Sequence, residues 1–248
     1  MGTAKLYQTE WNNISLIEIS EKMGKSVDKI ADIDFYKTFY NTLRENGWNI
    51  SAHFLEEKRA LGKAVFNKLN PLKKDHIISL GAGLGICEAE AIKGGYNVEL
   101  QEIQADSFKY LEKINVKPTR KWVTSDLSIL PENYYDSVII NHIMYCFNDC
   151  EYKDYMAQVI RLLKSNGNII VTAESLSESD CLRRNLSNSR VLRKLFRKDE
   201  TRIFWGYLRT EKRHVKMLSS LFEVVEYGQL YDGTRKLDYS YYICKKVQ

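Results

Sequence analysis

Three glycines at alternate positions, Gly81, Gly83 and Gly85, follow a short β-branched run (Ile77, Ile78, Leu80) in the stretch DHIISLGAGLGICEAEAIKGGYNVELQE. A backbone without Cβ atoms turns sharply and lets a ligand approach the main chain, so this loop reads as a cofactor seat between a buried parallel strand and a helix starting near Ile86. After a stop at Gly94-Gly95, Tyr96 to Glu102 reads as the next strand. Its terminal carboxylate can accept two hydrogen bonds from a ribose diol in the crevice beyond the strand ends. Further on, Asn141 and His142 interrupt the apolar run SVIINHIMYCF where a central strand would reach its carboxyl edge. An imidazole there either serves the crevice chemically or satisfies a buried hydrogen bond.

The remaining elements fall into an alternating pattern around that loop. Ala105 to Ile114 reads as a helix, Lys121 to Leu127 as a third strand with Asp126 at its end, and Tyr134 onward as a fourth. An amphipathic helix over 151–164 precedes a fifth strand at Ile169 to Thr172, with Gly167 easing the turn. Leu221 to Tyr231 and Leu237 to Lys245 flank the hairpin signal Asp232-Gly233. Upstream, residues 1–70 read as a helical cap: Ser51 caps a helix that runs to Asn70-Pro71, and Phe35, Tyr36, Phe39, Tyr40, Leu43 and Trp48 give the preceding segment an aromatic face. Such a face is more often packing surface than substrate cage.

A dinucleotide fingerprint requires a glycine where this chain has Ile86, so the loop matches G-x-G-x-G instead. As LGAGLG, with an acid ending the next strand, it resembles motif I of the class I S-adenosylmethionine-dependent methyltransferases. Asp126 after the third strand and Arg161-Leu162-Leu163-Lys164-x-x-Gly167 before the fifth extend the resemblance over roughly a hundred residues. It implies an α/β fold with a doubly wound, mostly parallel seven-stranded sheet and an antiparallel C-terminal strand pair, occupying 71–248 behind the 1–70 cap. It implies S-adenosylmethionine as cofactor, leaving as S-adenosylhomocysteine, cradled by Gly81, Ala82, Gly83 and Gly85, with Glu102 at the ribose, Asp126 at the adenine, Ile103 and Leu127 as further cofactor-binding residues, and Asn141 facing the methionine end and, with His142, the acceptor. His142 is the first general-base candidate, then Tyr145, with Glu174 and His53 behind, while Tyr36, Tyr40 and His53 are acceptor-side candidates. Ser79 departs from the family, which commonly has an acid two positions before the first glycine.

The 248 residues, 44% hydrophobic and 28% charged, suit one α/β domain with a helical addition. No apolar run is long enough to span a bilayer, and the start MGTAKLYQTEWNN has no signal-peptide core, so a cytoplasmic location without membrane insertion is expected. Five scattered cysteines without C-x-x-C spacing read as reduced thiols, and with no ligand cluster the expectation is metal-independent chemistry. A net charge of +5 permits an anionic substrate without demanding nucleic acid.

The least family-like piece is a basic insertion, 175–209, carrying Arg183, Arg184, Arg190, Arg193, Lys194, Arg197 and Lys198 with no acid among them until Asp199. It reads either as a solvated face or as an anion-recognition element, where RIFWGYLRT would present Trp205 and Tyr207 beside Arg202 and Arg209 to a sugar or base ring bearing phosphate. The expected activity is O-methylation of a small anionic acceptor, such as a sugar or phosphorylated precursor in bacterial surface-glycan or polysaccharide biosynthesis, by a monomer or homodimer. An RNA methyltransferase using the insertion, or a non-catalytic methyltransferase-like module, are the alternatives.

Overall fold

The structure, a computed structural model, describes residues 2–11, 13–24, 32–188, 203–233 and 235–247. Strands β1 (Thr3–Gln8), β2 (Glu10–Trp11) and β3 (Ile14–Ser15) lead into helices α1 (Leu16–Met23), α2 (Ile33–Glu45) and α3 (Ala52–Leu69). Strands and helices then alternate through β4 (Ile77–Leu80), α4 (Ala89–Lys93), β5 (Val98–Glu102), α5 (Lys109–Lys113), β6 (Arg120–Val123), β7 (Tyr135–Asn141), α6 (Asp149–Leu162) and β8 (Leu163–Ala173). The chain continues through β9 (Ser175–Leu176), α7 (Glu178–Ser187), β10 (Ile203–Thr210), α8 (Glu211–Leu218), β11 (Phe222–Asp232) and β12 (Arg235–Lys246).

The main sheet has seven strands in the order β11-β12-β8-β7-β4-β5-β6. Strands β6, β5, β4, β7 and β8 run parallel, whereas β12 is antiparallel to both β8 and β11. This is the doubly wound sheet with an antiparallel end pair that the glycine stretch led us to expect. Successive residues of its central strands feed opposite cores. Ile77, Val98, Leu100, Ile139 and Ile170 pack with Ala60, Leu61, Ala64 and Val65 of α3, while Ile78, Leu80, Val138, Ile140 and Val171 pack with Met156 and Val159 of α6 and Met217 of α8. Two covered faces explain why these strands read as continuous apolar runs. Between β4 and β7 the strand order reverses, so a crevice opens at their carboxyl ends.

Over that crevice lies a layer that the sequence reading had as purely helical. Residues 3–8 are instead a strand, paired antiparallel to β10, which in turn meets β9 in parallel to form a three-stranded sheet. The pairing partner lies about 200 positions away, so no local pattern announced it. RIFWGYLRT is thus mostly the central strand of this sheet, not a free lid. Phe35, Phe39, Tyr40 and Leu43 of α2 join Ile203 and Trp205 of β10 in a third core, with the Trp11 and Phe39 rings stacked at 4.1 Å.

Other boundaries shift for local reasons. The helix after the glycine loop begins at Ala89, because Leu84 and Ile86 are first drawn into the aromatic core. The third strand ends at Val123, where Thr124 turns the chain by accepting the Asp126 N–H at 2.9 Å. Within the basic segment, Arg183 and Arg184 sit exposed on α7, with Arg183 bonded to Asp180 at 2.8 Å. Arg190, Arg193, Lys194, Arg197, Lys198 and Arg202 lie outside the described residues.

Candidate active site

A cavity of about 790 Å3 occupies the crevice, floored by the ends of β4, β5 and β7 and roofed by α2, α3 and β10. Its size is that of a pocket for a cofactor-sized ligand. Along the floor, Gly81 (φ +63°) and Gly83 (φ +57°) take left-handed backbone. A Cβ at Gly81 would come within 2.8 Å of Ile143 Cδ1, and one at Gly83 within 3.4 Å of Tyr40 Oη. Both positions therefore need glycine for conformation, and Gly81 needs it for room as well.

The loop is pinned by the neighbouring strand. Gly81 N–H donates to Gln101 Oε1 at 2.9 Å and Gly83 N–H to Glu102 Oε2 at 2.7 Å, while Glu102 Oε1 accepts the Ile103 N–H at 2.7 Å. Each carboxylate oxygen thus uses one lone pair on the backbone and keeps another. Burial pushes the Glu102 carboxyl above its ordinary pKa, against the lowering effect of the Ile103 and Gly83 N–H groups. A ligand presenting two hydroxyl donors would supply what burial withholds. Ala82, Ile103, Leu127 and Asn141 line the same cavity. Gly85 does not; a Cβ there would strike Leu111 Cδ1 at 2.8 Å, so its missing side chain serves packing against α5.

The acid absent at Ser79 is supplied from elsewhere. Ser79 Oγ donates to Glu88 Oε1 at 2.7 Å, Asn141 Nδ2 donates to the same oxygen at 3.0 Å, and Thr172 Oγ1 donates to Asn141 Oδ1 at 3.2 Å. Glu88 is fully buried and its Oε2 has no partner. Burial raises its pKa, opposed by the Ser79 and Asn141 hydrogen bonds. This chain fixes Asn141 at the lip of the crevice.

His142 follows on a left-handed backbone (φ +53°), which turns the chain out of β7 and sets the ring on the cavity wall. Its Nε2 faces Glu174 Oε1 at 3.3 Å. Burial lowers the imidazole pKa, only partly offset by Glu174, so the ring is neutral near pH 7. A proton held on Nε2 by Glu174 leaves Nδ1 as the basic nitrogen. Tyr36, Tyr40 and Tyr145 also line the cavity, but burial pushes their phenols well above the usual range, so they act as neutral hydrogen-bonding groups. Tyr145 is held by β10: a Cβ at Gly206 would overlap the Tyr145 carbonyl oxygen at 2.3 Å, so only glycine lets that strand press so close. Trp205, almost fully buried, stands parallel to the Tyr145 ring at 6.2 Å.

Four expected contributors lie elsewhere. His53 is 76% exposed on the outer side of α3, 3.7 Å from Glu57. A helix start lines only one face on the crevice, and Phe54 and Lys58 take it. Asp126 is exposed and its carboxylate caps the following turn, accepting the Ser128 N–H at 2.8 Å, while Ser125 and Leu127 form the cavity wall beside it. Hydrogen bonds from the Ser128 side chain and then its N–H lower the Asp126 pKa. Tyr207 does not line the cavity and lies against Phe204, 5.2 Å between centroids. Arg209 is fully buried, bonded to Asp149 at 2.9 Å and to the carbonyls of Met144 and Phe147, so it braces the turn carrying Tyr145 and has no donor fork to offer a substrate anion.

Lys58, Tyr239, Gln101 and Glu88 went unnoticed in the sequence. Lys58 had left a trace, since it falls on the apolar stripe of Phe54, Leu61 and Val65 where a cation has no packing purpose. Tyr239 had none, because its place above the crevice depends on β12 pairing antiparallel to β8.

No protein-family profile matches the sequence. Among curated proteins, 129 residues are 26% identical to part of a probable non-canonical nonribosomal peptide synthetase, CymA, of Salinispora arenicola; the match takes 47% of this chain but spans only 2% of that protein. Solved structures are similar over most of the chain. The 1,6-didemethyltoxoflavin-N1-methyltransferase of Burkholderia thailandensis, bound to 1,6-didemethyltoxoflavin and S-adenosylhomocysteine, superposes with a TM-score of 0.60 at 14% identity over 86% of this chain and 87% of that one. Magnesium protoporphyrin IX methyltransferase of Synechocystis, also with S-adenosylhomocysteine, gives 0.56 at 14% over 78% and 84%. Phosphoethanolamine N-methyltransferase 1 of Haemonchus contortus gives 0.61 at 16% over 87% and 49%. The fold is that of the class I methyltransferases.

Proposed function

We propose that the protein is an S-adenosylmethionine-dependent methyltransferase acting on oxygen of a small anionic acceptor. The observation that carries this is Glu102: a buried carboxylate, tied to the N–H groups of Gly83 and Ile103, whose two remaining lone pairs border a glycine cradle. That is the acceptor set a ribose diol requires, and the glycines beside it carry no side chain to keep a ligand off the main chain. The methyltransferase neighbours, several holding S-adenosylhomocysteine, share this fold and support the reading.

When bound, S-adenosylmethionine supplies an electrophilic methyl group on a sulfonium and leaves as the neutral thioether. Gly81, Ala82 and Gly83 would hold it through the main chain, Glu102 the ribose, Leu127 the adenine edge, and Asn141 the amino-acid end. His142 would then take the acceptor's hydroxyl proton on Nδ1, with Glu174 at Nε2 fixing the tautomer and stabilising the imidazolium that results. The roof of Tyr36, Tyr40 and Trp205 excludes water and orients the acceptor. Among the described residues there is no cluster of three or more His, Cys, Asp or Glu that could hold a metal ion, and this reaction requires none.

Calorimetric titration with S-adenosylhomocysteine tests the cofactor half, and incubation with methyl-labelled S-adenosylmethionine and a panel of hydroxy acids, nucleotide sugars and phosphorylated metabolites tests the transfer. Saturable binding followed by ether-linked label on an acceptor is expected. A cavity that binds no S-adenosylhomocysteine, or binds NAD in its place, refutes the assignment.

A further inference from the structure

Among the described residues, Lys58 is the only lysine or arginine lining the cavity. Its Nζ donates to Tyr239 Oη at 3.0 Å and lies 4.9 Å from the Tyr239 ring centroid and 5.4 Å from that of Phe54. Glu174, an acid whose field it feels, bonds to the neutral His142 at 3.3 Å and makes no ion pair with Lys58 within 4 Å. An ammonium walled by two aromatic faces is drawn partly out of water and still has N–H groups to donate. Burial works to discharge it, but Tyr239, then Cys87 and Glu174, outweigh that and keep it protonated. Because Tyr239 Oη accepts from Lys58, its own O–H remains available as a donor next to the ammonium.

Resting on the methyltransferase reading above, we propose that Lys58 and Tyr239 form a carboxylate subsite, and that the acceptor is a small hydroxycarboxylic acid. Two adjacent donors match the two oxygens of a carboxylate, and one ammonium balances one negative charge. A phosphate monoester, at nearly two charges, would press its second against Glu174. The subsite also lies close to the base: the His142 ring centroid is 5.0 Å from the Tyr239 ring, the same ring that Lys58 sits over. Carboxylate and reacting hydroxyl can therefore belong to one small acceptor. The basic segment 175–209, by contrast, contributes no lysine or arginine to the lining among the described residues, only Trp205.

The test compares 4-hydroxybenzoate with 4-hydroxybenzyl alcohol, which differ at the carboxylate, by calorimetry on the protein saturated with S-adenosylhomocysteine. The wild type should bind the acid about tenfold more tightly, the equivalent of one charge-assisted hydrogen bond. Lys58→Met keeps the apolar stem and should reduce that preference to about twofold or less, Lys58→Arg should restore part of it, and Tyr239→Phe should lose part of it without a change in net charge. S-adenosylhomocysteine affinity should stay nearly constant throughout, and melting curves confirm that each variant folds. Equal affinity for acid and alcohol in the wild type, or a preference that survives Lys58→Met, overturns the proposal. So does a Lys58→Met variant that loses S-adenosylhomocysteine binding but keeps 5′-methylthioadenosine, since the ammonium would then serve the cofactor's own carboxylate. Failure of the wild type to bind S-adenosylhomocysteine sinks the cofactor reading instead, and the acid preference can still be read without it.

Discussion

Replacing Glu102 by Gln tests the site at its most exposed premise. The amide keeps one acceptor oxygen but places an NH2 group against either the Gly83 or the Ile103 N–H, both of which now donate to the carboxylate at 2.7 Å. One diol hydroxyl loses its acceptor and the other loses the charge on its partner. Hydrogen bonds to a charged group contribute about 1.5–3 kcal/mol each, so the combined loss is about 3 kcal/mol, or about 100-fold in affinity. Calorimetry with S-adenosylhomocysteine measures it directly, with 5′-methylthioadenosine, which keeps the ribose diol, expected to weaken by the same factor. The pH dependence gives a second, independent readout. Burial raises the Glu102 pKa in the free protein, whereas hydroxyl donors favour the charged carboxylate. Binding by the wild type should therefore release protons and weaken as pH falls through that raised pKa, and Glu102→Gln should abolish the slope. The stability of the free protein runs the other way: a carboxyl with a raised folded-state pKa stabilises most at low pH and less as pH rises through it. A folded Glu102→Gln variant that binds S-adenosylhomocysteine within about threefold of wild type would refute the argument, since a single neutral hydrogen bond is worth about that much.

The other sites make separate demands. His142→Asn, chosen because Asn tolerates the left-handed backbone there, should lower the rate of label transfer by about 100-fold or more while leaving S-adenosylhomocysteine affinity unchanged. The wild-type acid limb in kcat should fall below the usual imidazole range, because burial lowers this ring's pKa. Asp149→Ala leaves the fully buried Arg209 without its acid and should destabilise the fold by about 3 kcal/mol, read as a lower midpoint in urea. Burial raises the Asp149 pKa but the Arg213 and Arg209 hydrogen bonds outweigh it, so its contribution is present at neutral pH and lost as pH falls through the depressed value. Glu88→Gln removes a buried carboxyl whose pKa is raised and whose Oε2 has no partner, so its melting temperature relative to wild type should climb as pH increases above the ordinary carboxylate range.

What the sequence by itself determined lies where local chemistry and position coincide. Ile77 to Glu102 carries a buried strand, a loop that only glycine can form and a carboxylate at the next strand's end, and each requirement is met within a few residues of the chain. Asn141 and His142 were legible for a similar reason, as polar residues at the end of an otherwise apolar strand. Tertiary structure decided everything that depends on strands meeting across long separations. Residues 3–8 are extended only because β10 pairs with them, and Arg209, in a run that suggested anion recognition, turns inward because α6 presents Asp149 to it. The acid missing at Ser79 is replaced by Glu88 from the next turn of chain, a substitution of place that no motif encodes. Lys58 and Tyr239 come together over the crevice only once α3 packs on the sheet and β12 runs antiparallel to β8. The glycine loop is a local property of the backbone, whereas the rest of the cavity wall is assembled from α2, α3, β7, β10 and β12, which no single stretch of sequence contains.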